Sequence, residues 1–168
     1  MATFFRRKAA ALTLGVLALT LAGGGIAAAQ PTTTAQPGAR QPGAGSQPPV
    51  SPADARQARA AMQATLVAPA PGTVEWAVVS SAGTLLQHSA NVVSATRYGP
   101  GQYQVLLNYD VRFKAYTATI GTNDQFNVPP GGEASVSPRN LTPNGVFVQT
   151  RTSGGSAADR PFHIHIAN

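Results

Sequence analysis

The chain has 168 residues, no cysteine, and a formal charge of +6 from 12 basic and 6 acidic side chains. No disulfide, thiolate metal site or cysteine nucleophile can be built from it. Nor does the charge make it a nucleic-acid binder: from residue 70 onward six cations (Arg97, Arg112, Lys114, Arg139, Arg151, Arg160) meet five carboxylates (Glu75, Asp110, Asp124, Glu133, Asp159), with no cluster to neutralise a phosphate backbone.

Residues 1–29 read as a secretory signal peptide. Arg6, Arg7 and Lys8 form a cationic start, 9–21 is apolar, and a small-residue stretch ends in Ala27-Ala28-Ala29, with cleavage expected after Ala29. The Arg6-Arg7 pair suggests a twin-arginine signal, but Lys8-Ala9-Ala10 lacks the large apolar residues that would follow it, so the export route stays open. No later segment is long and apolar enough to span a bilayer, so the expected product is extracellular and free of the membrane.

Residues 30–52 are rich in proline, glycine, glutamine and threonine, with Val50 the single large apolar side chain. Such a stretch buries too little surface to offset its ordering entropy and is expected to be a disordered spacer. A short helical segment is predicted at 53–68. Ser51 is its N-cap, Pro52 fits the first helical position, and Asp54 lies where a carboxylate complements the helix dipole. Its apolar stripe is thin (Ala55, Ala58, Met62, Leu66), so it must pack on the domain or associate with another copy.

From Thr73 the period of apolar residues becomes two. Val74, Trp76 and Val78 share one side of a strand, and Tyr103, Val105 and Leu107 alternate with Gln102, Gln104 and Leu106. Gly99-Pro100-Gly101 marks a turn, and "EASVSP", "GVFVQTR" and "RPFHIHIAN" add further strands. The pattern predicts an all-β fold, a single antiparallel β-sandwich of about eight strands over 73–168. A faint internal echo matches Tyr103 with Phe147 and Tyr116 with Phe162, as two related hairpins or as chance likeness among strands.

In the last strand Phe162, Ile164 and Ile166 form one face, and His163 and His165 the other. Two imidazoles on one side of a strand are the start of a zinc site, which needs a third and usually a fourth ligand. His88 is the one other histidine, and no spacing brings it near, so a polar outer face is the favoured reading, with His163 and His165 kept as metal candidates. No cofactor is called for. Ser156 in "SGGSAADR" lacks the strand-to-helix context of a nucleophile turn, and Asp110, Asp124, Glu133 and Asp159 lie in or beside turns. Trp76, Tyr98 and Tyr109 are the candidate ligand-binding residues, as rings on which a sugar could stack.

The segments "WAVVSSAGTL", "VVSATRYGPGQYQVLLNYDV", "AYTATIG" and "NGVFVQTR…ADRPFHIHI" resemble a β-domain of secreted actinobacterial proteins that has no established function. The likeness covers nearly all of 74–166. The resembling domains often carry a cysteine where Lys114 stands and another near Asn168; both are absent here, so the likeness implies a last strand held by packing and hydrogen bonds alone. His163 fits the P-F-H element, whereas His165 replaces an apolar or small residue. The stretch around Gly101-x-Tyr103-x-Val105 is also similar to β-domains at phage tail-fibre tips, which implies a homo-oligomer. Together these readings lead to a secreted, non-catalytic structural or adhesive module near the cell surface, with a cell-envelope component or glycan as partner. A carbohydrate- or small-ligand-binding domain is the alternative, and a hydrolase with an unrecognised site the third.

Overall fold

A computed structural model describes residues 46–64 and 69–168. The expected signal peptide, the spacer up to residue 45, and residues 65–68 of the helical segment lie outside the described residues. One helix, α1 (Pro52–Ala64), precedes eight strands: β1 (Val74–Val79), β2 (Leu85–His88), β3 (Val92–Gly99), β4 (Gln102–Leu107), β5 (Ala115–Ile120), β6 (Glu133–Pro138), β7 (Gly145–Arg151) and β8 (Phe162–Ala167). They form two four-stranded antiparallel sheets, ordered β2-β1-β8-β5 and β3-β4-β7-β6, which is the expected sandwich.

The period-two pattern builds the core. Ala77 and Val79 of β1 and Phe162, Ile164 and Ile166 of β8 meet Tyr103, Val105 and Leu107 of β4 and Val146 and Val148 of β7. The rings of Tyr103 and Phe162 tilt against each other with centroids 5.1 Å apart. Phe162, Ile164 and Ile166 are all fully buried. Each contributes roughly 1.5–3 kcal/mol by leaving water, so the three alone match much of the net stability of a small domain. β8, the last strand in sequence, is central: it pairs with β1 on one side and β5 on the other. Two ladders thus hold it without a disulfide. The β5–β8 register, which pairs Ala115 with Ala167, sets Lys114 opposite Asn168 as the next positions outward.

The internal echo holds at one match and fails at the other: Tyr116 and Phe162 both pack on the core, but Tyr103 and Phe147 do not share a side. Tyr103 points into the core, whereas Phe147 lies opposite Gln104 and packs beneath the Arg139 guanidinium outside the core cluster. The β3–β4 turn does depend on glycine. Gly101 has φ 65°, and a Cβ there would lie 2.2 Å from the Thr150 carbonyl oxygen. Its N–H donates to Asp159, which also accepts two hydrogen bonds from Arg97.

The outer faces of the two sheets differ. On β4 the side away from the core carries Gln104 and Leu106, both buried, because α1 lies across it with Ala58 and Ala61 against Leu106. Asn144 clamps this contact, donating from Nδ2 to the carbonyls of Ala58 (3.0 Å) and Leu107 (2.6 Å). No helix among the described residues covers the outer face of β1 and β8: Trp76 and His165 are exposed there, while Val78 and His163, one row along, are buried and half-buried.

Candidate functional site

The open face is built by three strands in register. Trp76 lies opposite His165, which lies opposite Thr117. One row along, Val78, His163 and Thr119 line up, but here Val78 is buried and His163 half-buried, so the face is open only from the Trp76 row back, where Val74, Ala167 and Ala115 follow. Alternation places all nine on the side away from the core, since their neighbours Ala77, Val79, Ile164 and Ile166 are core residues. Trp76 keeps 39% of its surface exposed. His165, Thr117 and Thr119 are exposed around it. The result is an apolar ring between hydroxyl and imidazole groups on a sheet of regular pitch.

His163 and His165 share this face but differ in setting. His163 is half-buried against Gly121, where a Cβ would come within 2.8 Å of the imidazole Cδ2, and its Nε2 lies 3.4 Å from the Thr122 carbonyl oxygen. His165 stands free beside Trp76. His88 lies on edge strand β2 with Nδ1 2.8 Å from the Ser89 carbonyl oxygen. Among the described residues no group of three or more His, Cys, Asp or Glu is placed to hold a metal ion. Both histidines lie on the same face as Trp76.

The other two aromatic candidates lie elsewhere. Tyr98 is on the covered face of β3, half-buried, and its hydroxyl donates to Asp54 Oδ2 of α1 at 2.6 Å. Burial and then the Asp54 carboxylate push its phenol above the ordinary value, with Arg139 opposing. Tyr109 is 5% exposed and belongs to the core, where burial raises its phenol as well. Trp76, Tyr98 and Tyr109 thus occupy three separate environments, and only Trp76 is on the open face.

Other groups are occupied structurally. Asp110 and Asp159 pair with Arg112 and Arg97, and both carboxyls are held below the usual range, first by those arginines. Asp124 closes its own turn by accepting from the Phe126 N–H. Glu75 is 7% exposed and accepts hydrogen bonds from Ser89 and Asn91. Ser156 is exposed on the β7–β8 loop, where its N–H donates to Thr152 Oγ1.

Two features were not legible in the sequence. The first is a groove of about 440 Å³ between α1 and the β6–β7 loop, lined by Met62, Arg59, Leu141 and Pro143 among others. Leu141 is 91% exposed there and takes a left-handed φ of 56°. The second is a buried polar cluster around Arg139, which is only 3% exposed. Its Nε donates to Gln104 Oε1 and its Nη1 to Gln47 Oε1, each at 3.0 Å. In the sequence Arg139 sits in "SPRN", beside a turn; its burial comes from partners distant in sequence, Gln47, Tyr98 and Gln104, and from Phe147. No family model, curated protein or solved structure matches the chain.

Proposed function

We propose that the chain is a secreted, non-catalytic adhesion module that binds a cell-envelope glycan through the outer face of the β2-β1-β8-β5 sheet. One observation carries this reading: the asymmetry of the two outer faces. The β4 side is closed by α1 and by Gln47, while the β1–β8–β5 side presents a half-exposed Trp76 flanked by His165 and Thr117. A tryptophan on a rigid strand supplies apolar contact area at little entropic cost, and the polar groups around it can hydrogen-bond to hydroxyls. The placement of the carboxylates supports a non-catalytic role, since Asp110 and Asp159 are engaged by arginines. The likeness of 74–166 to secreted β-domains supports action outside the cytoplasm.

The test is co-sedimentation of the full chain with insoluble peptidoglycan. Wild type is expected to pellet with the polymer. Trp76→Ala should weaken binding at least about tenfold, the loss typical of a central aromatic anchor. His165→Ala should weaken it less. Undiminished binding by Trp76→Ala would overturn the assignment of the face.

A further inference from the structure

Gln47 lies four positions before the helix N-cap, in a stretch whose composition marks it as spacer, yet its side chain is held at both ends. Its Oε1 accepts from Arg139 Nη1 at 3.0 Å and from the Asn140 backbone N–H at 2.9 Å. Its Nε2 donates to Ser137 Oγ at 3.0 Å and to the Pro138 carbonyl oxygen at 2.9 Å. Two donors converge on one atom, and two acceptors on the other. That arrangement matches a primary carboxamide and little else. A carboxylate would set its second oxygen against the Pro138 carbonyl, and an ammonium would set its protons against Arg139.

Arg139 makes the pocket demanding. Its guanidinium lies 4.7 Å from the Tyr98 ring centroid and 5.7 Å from that of Phe147. The ion pairs among the described residues are Arg97–Asp159 and Arg112–Asp110, and Arg139 belongs to neither. Its Nη2 is buried with no hydrogen-bond partner among those residues. A buried cation without a carboxylate depends on the carbonyl oxygens it does have, and Gln47 provides one of two.

The residue after Gln47 is Pro48, and this dipeptide recurs. Gln30-Pro31, Gln36-Pro37, Gln41-Pro42 and Gln47-Pro48 are spaced six, five and six residues apart. All four glutamines before residue 50 precede a proline, and none of the seven after it does. Proline disfavours the helical conformation for the residue before it, and Gln47 has that sequence context at the pocket.

We propose that the pocket formed by Ser137, Pro138, Arg139 and Asn140 is a binding site for Gln-Pro dipeptides. Gln47-Pro48 is its resident ligand, and Gln30-Pro31, Gln36-Pro37 and Gln41-Pro42 are further ligands, supplied by the same chain or by a second copy. From the same chain, exchange shifts the spacer by five or six residues per step. From a second copy, it links molecules through their spacers. The resident holds the advantage. Replacing it by Gln41 lengthens the connection to Ser51 from four to ten residues, and the logarithmic cost of loop closure makes that occupant about fourfold less favoured. A second copy must compete against a local concentration on the order of millimolar.

The test uses the full chain as wild type, as Gln47→Ala, and with Gln30, Gln36, Gln41 and Gln47 all changed to alanine. Hydrogen exchange of the Asn140 amide is followed by NMR, with the amides of β4 and β8 reporting that each variant is folded. Gln47→Ala should lose only about fourfold in protection, because Gln41 takes the site. The quadruple variant should exchange like an open turn. Equal exchange in the single and quadruple variants overturns the proposal, and so does a quadruple variant as protected as wild type. Dilution of Gln47→Ala separates the sources: constant protection assigns the ligand to the same chain, and protection that falls assigns it to a second copy. Millimolar peptide of the sequence AQPGARQPGAG should restore protection in the quadruple variant; failure to do so also overturns the site.

Discussion

Asn144 ties three parts of the molecule through one nitrogen. It is 1% exposed, and its Nδ2 donates to Leu107 at the end of β4 and to Ala58 in α1, while its own backbone leads into β7. Asn144→Ala removes the donor and leaves buried carbonyls facing it, with an expected loss of about 2–3 kcal/mol. Asn144→Asp should be worse at neutral pH despite its nearly identical shape. A carboxylate has no proton to give, and here it would face two carbonyl oxygens. Below the carboxylate range the variant regains a donor, so part of the loss should return. Urea unfolding of both variants at pH 7 and near pH 4 checks the order and its reversal. An aspartate variant as stable as the alanine variant at pH 7 would contradict the donor role. The histidines show the complementary lesson at the same scale: two identical residues two positions apart share a face, yet His163 rests on Gly121 and His165 does not.

Among the elements, α1 was legible at its start and illegible in its purpose. Ser51, Pro52 and Asp54 are sufficient to predict the N-terminus, and the Asp54 N–H does donate to Ser51 Oγ at 3.1 Å. What local chemistry does not contain is the second task of Asp54, which accepts the Tyr98 hydroxyl from β3. β3 shows no clean alternation of burial, so its covered side could not be read from its residues. β8 could be read, because isoleucine and phenylalanine alternate with histidine. β1 was ambiguous: Val74, Trp76 and Val78 are as apolar as Ala77 and Val79, and only the pairing with β8 puts Trp76 outside. If Asp54 joins cap and sheet, the two contacts should be separable by a double-mutant cycle. Asp54→Ala keeps the backbone N–H that Ser51 caps but removes the carboxylate that accepts from the Ser51 and Tyr98 hydroxyls, at an expected cost of about 2 kcal/mol. Tyr98→Phe should cost about 1–2 kcal/mol, and the pair less than the sum by about 1 kcal/mol. Strict additivity in thermal or urea unfolding would show that the bond contributes nothing.

For the molecule as a whole, the four tyrosines make alkaline stability a readout of the sandwich. Tyr98, Tyr103, Tyr109 and Tyr116 all have phenols raised above the ordinary value, with burial the largest cause in each, and Tyr116 is pushed up to about 12. The hydroxyl of Tyr103 donates to the Ser81 carbonyl at 2.8 Å, and that of Tyr116 to Val111, so ionisation would also break these bonds. A raised folded-state value means the fold favours the protonated phenol. That stability is fully present below the unfolded value of about 10 and is lost as pH climbs from there through about 12. On the acid side the sign reverses. Asp110 and Asp159 are lowered by their arginines, so their contribution is present above the ordinary carboxylate range and disappears as pH falls through the depressed values. These two pairs are partly solvated, and salt should weaken them, whereas the tyrosine effect comes from burial and should resist salt. Tyrosinate absorbance at 295 nm, followed together with Trp76 fluorescence and far-ultraviolet dichroism, tests the alkaline limb. The absorbance should rise above pH 10 and largely in step with loss of strand signal, because the phenols of Tyr103, Tyr109 and Tyr116 are packed in or against the core between the sheets and ionise only as the sheets part, while that of Tyr98 lies under α1. Four tyrosines titrating at pH 10 in a molecule that keeps its strand signal would mean that the sandwich admits water where Tyr103 and Phe162 now touch.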